Sequence, residues 1–102
     1  MAFSLLYHPD VARADLLPIP VNVRKRMANA LARRLHESPE RFGHPLRGTL
    51  KGYWKLRVGD YRVVYRIVGA EVWIVAILHR RQVYEDVLRW IGWEPARVGQ
   101  QV

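Results

Sequence analysis

The tightest constraint on this chain is a pair of two-residue separators, Gly59-Asp60 and Gly69-Ala70, that divide three runs rich in Val, Ile, Tyr and Trp. Each separator opens with Gly, which suits the positive φ that a tight hairpin turn needs at its first central position. The spacing predicts three consecutive antiparallel strands over Tyr53–Val58, Tyr61–Val68 and Glu71–Leu78. Two-residue turns also set the register: Val58 faces Tyr61, Arg57 faces Arg62, Lys55 faces Val64 and Tyr53 faces Arg66.

Side chains alternate between the two faces of a strand, and directly opposed residues share a face. One face is then Trp54, Leu56, Val58, Tyr61, Val63, Tyr65, Ile67, Val72, Ile74, Ala76 and Leu78, which is a core. The other carries Tyr53, Lys55, Arg57, Arg62 and Arg66, with Trp73, Val75, Ile77 and His79 from the third strand.

This second face is charged in one sign. Arg57 opposite Arg62 is a like-charge pair, unfavourable on its own, and Asp60 in the turn is the one acid between Arg47 and Arg66. An ordinary solvated face mixes signs. Cations beside Tyr and Trp suit a polyanion with stackable bases. Val64, Val75 and Ile77 on the same face call for a covering helix, the chain's own or a partner's.

Composition agrees with an acidic partner. The chain has 102 residues, a formal net charge of +8 and no cysteine. That length suits one domain with one core, and the charge favours nucleic acid or an acidic protein. Without cysteine there is neither a disulfide framework nor a thiolate metal site. His36 and His44 lie at loop edges without ligands at metal spacing, so no metal and no cofactor is expected. No run has the length of a membrane span, and the start lacks signal-peptide order, so no membrane association and a cytoplasmic location are expected.

Before the hairpins, Phe3–Tyr7 reads as an edge strand, and a short helix from about Pro9 to Leu17 is stopped by Pro18 and Pro20. From about Val21 to His36, Val23, Met27, Ala30, Leu31 and Leu35 recur at helical spacing. Arg24, Lys25, Arg26, Arg33 and Arg34 fall mostly elsewhere and read as a solvated face. Ser38 to Gly48 reads as a loop, a C-terminal helix is expected from about Gln82 to Trp93, and 94–102 is a tail after the domain of residues 1–93. The expected fold is a small single α+β domain of order β-α-α-β-β-β-α, its antiparallel sheet packed on two N-terminal helices.

That order, with LKGYWKLRVGDYRVVYRI and ILHRRQVY, resembles the RelE toxins of the RelE/ParE superfamily, the toxic halves of type II toxin–antitoxin pairs. GDYRVVYR and HRRQVY are its most specific parts. The resemblance implies an endoribonuclease that cleaves mRNA in the ribosomal A site and inhibits translation, held inactive by a cognate RelB-like antitoxin. By position it implies catalytic roles for Lys55, Arg62, one of Arg80 and Arg81, and Tyr84. Tyr53 departs from the family, standing where the best-known members have a second lysine; Lys51 or Arg57 are the candidate substitutes.

The chemistry has its own logic. Attack of a 2′-oxygen on the neighbouring phosphorus needs a proton removed, a proton donated and phosphate charge stabilised. Arg62 and Arg80 or Arg81 are suited to the phosphate through charge-assisted hydrogen bonds. Tyr84 is a base candidate, because neighbouring cations favour its anion; His79 is the ordinary acid–base alternative. Lys55 suits donation to the leaving oxygen. Lys51, Tyr53, Arg57, Arg66 and His79 complete the expected RNA-contacting set. Two other readings share these residues: a ParE-like toxin that poisons DNA gyrase by binding, and a non-catalytic nucleic-acid-binding module. An acidic amphipathic antitoxin helix would suit the positive face with Val64, Val75 and Ile77 exposed on it.

Overall fold

In the computed structural model, which describes residues 2–79, Gly59 and Gly69 take φ values of 58° and 60°. No other residue of either turn has positive φ, the geometry of a two-residue hairpin with Gly first. Along the chain run β1 (Ser4–Tyr7), one helical turn (Val11–Asp15), α1 (Val21–Leu35), α2 (Pro39–Phe42), β2 (His44–Pro45), a tight turn (Gly48–Leu50), β3 (Trp54–Val58), β4 (Tyr61–Val68) and β5 (Glu71–His79). The strands form one sheet in the order β1-β5-β4-β3-β2. β1 lies parallel to β5, so the sheet is mixed where an antiparallel one was expected; the other neighbours are antiparallel.

Two stretches differ from expectation. The expected Pro9–Leu17 helix is helical over residues 9–15 and takes a widened form at Val11–Asp15, in which the Leu16 N–H reaches back five residues to the Val11 carbonyl at 2.9 Å. The expected loop holds α2 and β2. Pro39 suits the first turn of a helix, and the Tyr65 hydroxyl donates to its carbonyl at 2.6 Å. At Gly43 the chain passes so close to Tyr65 that a Cβ would overlap the hydroxyl. This close approach seats β2 beside β3.

The apolar stripe of α1 is as the spacing predicts: Met27, Ala30, Leu31 and Leu35 are buried and Val23 packs beside them. They meet Leu56, Val63, Tyr65, Val72 and Ile74 of the sheet. The opposite face is also apolar at its centre. There Val64, Val75, Ala76 and Leu78 cluster with Leu50 and Tyr53, flanked by Leu46 and Trp73.

The β3–β4 register is the one read from the turns, with Arg57 opposite Arg62 and Lys55 opposite Val64. The β4–β5 register slips. Tyr65 pairs with Ile74, but Val64 pairs with Ala76, which leaves Val75 as an extra residue, a β-bulge. One extra residue reverses every later side chain. Ile77 therefore joins the α1 side, and Ala76 and Leu78 join the other, the reverse of simple alternation. β1 stops pairing at this point, opposite Ile74. Beyond it the Asp15 carboxylate accepts the Ile77 N–H at 2.9 Å and takes over the strand's hydrogen bonding.

Two stability predictions follow from these contacts. Burial, reinforced by the Glu40 carboxylate, holds the Tyr65 phenol well above its ordinary value. The folded chain keeps a proton that the unfolded chain releases above about pH 10, so this contribution is complete below that pH and lost as pH rises past it. Tyr65→Phe strips the buried Pro39 carbonyl of its donor, costs about 1–3 kcal/mol in urea unfolding at neutral pH, and flattens the alkaline decline. Asp15→Ala leaves the Ile77 amide without its acceptor, costs about 1–3 kcal/mol, and accelerates hydrogen exchange at Ile77 above all other β5 amides.

Candidate nucleic-acid interface

On β3, alternation sends Trp54, Leu56 and Val58 toward α1 and Lys55 and Arg57 to the other face. β4 adds Arg62 directly opposite Arg57. β2 adds His44 directly opposite Lys55. His44, Lys55, Arg57 and Arg62, with the Leu56 position between the two β3 cations, line a groove of about 430 Å³. The Arg57 Nε donates to the Gly59 carbonyl at 3.1 Å, which anchors its planar fork over the turn. Arg57 is exposed, while Lys55 and Arg62 are half-buried with their stems against the sheet. A groove with three cations from two strands accepts an anion at its centre, and guanidinium forks match phosphate oxygens.

The remaining expected residues divide. Arg66 lies further along β4 and does not line the groove; its guanidinium is 5.7 Å from the centre of the Tyr53 ring. Tyr53 itself is 3% exposed, packed among Leu50, Val64 and Val75. It offers no open ring for a base to stack on, contrary to its expected RNA contact. It supports Arg66 instead. Lys51 is exposed in the loop after the Gly48–Leu50 turn and does not line the groove.

His79 is a correction. The bulge at Val75 pairs it with Tyr61, whose ring it meets edge-on at 5.4 Å. Tyr61 packs on the α1 side, so His79 belongs to the face away from Lys55 and Arg62. Val64 and Val75 are 0% exposed, in keeping with an apolar patch that is covered, whereas Ile77, 4% exposed, lies on the α1 side and leaves the expected patch. Trp73 packs at the edge of the second cluster, with its indole N–H donating to Glu71 at 3.0 Å. Arg80, Arg81, Tyr84, the expected C-terminal helix and the tail lie outside the described residues.

His44 is the groove residue that sequence reasoning passed over. Its one signal was the following Pro45, a residue tolerated in edge strands, but a two-residue strand has no alternation to read. Among the described residues no three His, Asp or Glu side chains are grouped to hold a metal ion.

The fold is that of a toxin superfamily. The model of the ParE toxin of the type II toxin–antitoxin system parDE matches residues 7–84. The chain belongs to the RelE/ParE superfamily and is a toxin of a type II toxin–antitoxin system. Toxin RelE of Mycobacterium tuberculosis is 39% identical over 64 residues, 60% of this chain and 66% of that protein, a little under two thirds of its length. Toxin RelG of the same organism is 33% identical over 75 residues, 72% of this chain and 86% of that protein. Among solved structures, the M. tuberculosis RelBE2 toxin–antitoxin complex superposes with a TM-score of 0.71 at 30% identity, covering 78% of this chain and 100% of that one. A mutant of E. coli RelE in the free state shares the fold, with a TM-score of 0.68 at 22% identity over 89% of this chain and 99% of that one.

Arg62→Ala is expected to weaken binding of a single-stranded RNA oligonucleotide and to lower the slope of log K against log salt by about 0.7, one phosphate contact. Arg33→Ala, on the exposed side of α1, should leave that slope unchanged. Fluorescence anisotropy across a salt series measures both.

Proposed function

We propose that this toxin is a ribosome-dependent endoribonuclease that cuts mRNA in the A site and so inhibits translation in the cytoplasm. The observation that carries the reading is the convergence of Lys55, Arg57 and Arg62 on one groove, in a segment whose one acid, Asp60, sits at the hairpin tip. Paying the cross-strand repulsion of Arg57 and Arg62 makes sense when a phosphate normally lies between them.

The reaction is an internal transesterification. The 2′-oxygen loses its proton and attacks phosphorus, and the bond to the 5′-oxygen breaks. A 2′,3′-cyclic phosphate and a 5′-hydroxyl result. Arg62 stabilises the added charge on the nonbridging oxygens, assisted by Arg80 or Arg81. Lys55 protonates the departing 5′-oxygen, and Tyr84 is a further catalytic group, positioned beyond β5 in sequence. The chain's own cations supply the charge stabilisation, so this mechanism is metal-independent. Arg57, which lines the groove directly opposite Arg62, stands in for the lysine that Tyr53 replaces.

A RelB-like antitoxin is the proposed inhibitor. The archaeal toxin of Pyrococcus horikoshii and that of Methanococcus jannaschii were each solved as RelB–RelE complexes. An acidic segment placed over His44, Lys55 and Arg62 would neutralise the groove and exclude RNA. A second reading, poisoning of DNA gyrase, is favoured by the ParE description of the matching family model.

A translating extract with mapped cut sites separates the two. Wild-type protein is expected to give cuts at defined codon positions, reduced at least about 100-fold by Arg62→Ala or Tyr84→Phe. Absence of cuts together with blocked gyrase supercoiling would transfer the assignment to gyrase.

A further inference from the structure

On the α1 side of the sheet, away from the basic groove, a cavity of about 550 Å³ opens between α1, the helical turn Val11–Asp15 and the end of β5. Its volume falls within the range of small-molecule sites, about 300–1,000 Å³. Val21, Arg24, Ala28 and Leu31 follow one another at three- and four-residue spacing and so share the face of α1 that lines it. Tyr7 of β1 and Ile77 of β5 line it from the sheet. Ala12 and Ala28 are exposed lining residues whose short side chains leave room at the mouth.

The lining is apolar in body and of one sign in charge. Arg24 and Lys25 are its charged residues, and no acid lines it. The Asp15 carboxylate, next in sequence to the lining residue Leu16, is engaged by the Ile77 amide at 2.9 Å. The Arg24 guanidinium has no acidic partner among the described residues, and its Nε is buried without a hydrogen-bond partner. A buried donor left unpaired is costly and calls for an explanation. A cation that has given up part of its hydration gains more than an exposed one from an anion brought to its remaining donors.

We infer that this cavity binds a single-chain amphipathic anion, a medium-chain fatty acid or a carboxylate of that shape. Its tail lies among Leu16, Met27, Leu31 and Ile77, and its head meets Arg24 and Lys25 at the mouth. Both halves of such a ligand are required. A neutral chain leaves Arg24 unpaired, a small anion leaves the apolar wall hydrated, and a nucleic acid has no apolar body to bury. The inference stands apart from the ribonuclease reading, because Met27, Leu31 and Ile77 belong to the α1 core and the basic groove lies on the other face.

Calorimetric titration of the intact chain with octanoate, decanoate and dodecanoate, each below its micelle concentration, tests the assignment. Saturable binding at one site is expected, tightening about fourfold per added methylene until the cavity is full. Decanol and decylammonium should bind at least about 10-fold more weakly than decanoate, the weight of a charge-assisted hydrogen bond. Arg24→Gln should weaken decanoate by a similar factor and leave decanol unchanged. Ala28→Trp fills the mouth from an exposed position, so it should abolish binding of both while its thermal unfolding matches wild type. In methyl proton–carbon spectra, Met27, Leu31 and Ile77 should shift with decanoate, while Leu46 and Leu50 of the second cluster hold their positions.

Absence of saturable binding, or shifts confined to Leu46 and Leu50, would overturn the inference. Binding that both variants leave intact would reduce it to adsorption on a basic surface and overturn it as well. Equal affinity for decanol and decanoate would leave an apolar cavity with no anion site, again against the inference. A chain that binds no carboxylate and sediments as a dimer, dissociated by Ala28→Trp, would give the cavity to a second copy instead.

Discussion

The pairing of β4 with β5 decides the rest of the molecule. These are the central strands, and each is buried on both faces at its middle: Val63, Val64 and Tyr65 on one, Ile74 to Leu78 on the other. The bulge at Val75 slips their register by one residue. Up to Ile74 the side chains obey simple alternation, and beyond it they are reversed. The Asp15 carboxylate stabilises the far side of the slip by holding the Ile77 amide. This one irregularity turns His79 away from the basic groove and onto the α1 side.

Much of the architecture is legible before any coordinates. The two Gly-first turns are rigid enough that Arg57 opposite Arg62 and Lys55 opposite Val64 follow by counting. The α1 stripe is equally plain, because Met27, Leu31 and Leu35 have polar neighbours that make the period visible. The slip in β5 is not legible, and the reason is physical. Ile74-Val75-Ala76-Ile77-Leu78 is apolar without interruption. A strand buried on both faces carries no alternation, so an inserted residue leaves no trace in the pattern. The segment from Ser38 to Gly48 fails for a different reason. Its structure depends on the Tyr65 hydroxyl reaching Pro39 and on the close pass at Gly43, contacts made by residues more than twenty positions away.

The candidate site follows the same division. Register and sign of charge single out Lys55, Arg57 and Arg62, and they line one groove. Simple alternation sends Tyr53 and His79 to the same face, and the structure moves both, one into the core under Arg66 and the other to the α1 side. His44 enters through tertiary pairing of a two-residue strand. The outcome is a face where Lys55, Arg57 and Arg62 stand together with His44 beside them.

The most direct test of this account reads all 4 histidines at once. Imidazole proton–carbon correlation spectra would be recorded while a single-stranded RNA with 2′-O-methyl riboses, which cannot be cut, is added. The account predicts that the His44 resonances shift with occupancy while those of His8, His36 and His79 hold their positions. Shifts at His79 with His44 unmoved would place the RNA on the other face of the sheet and contradict the account at its root.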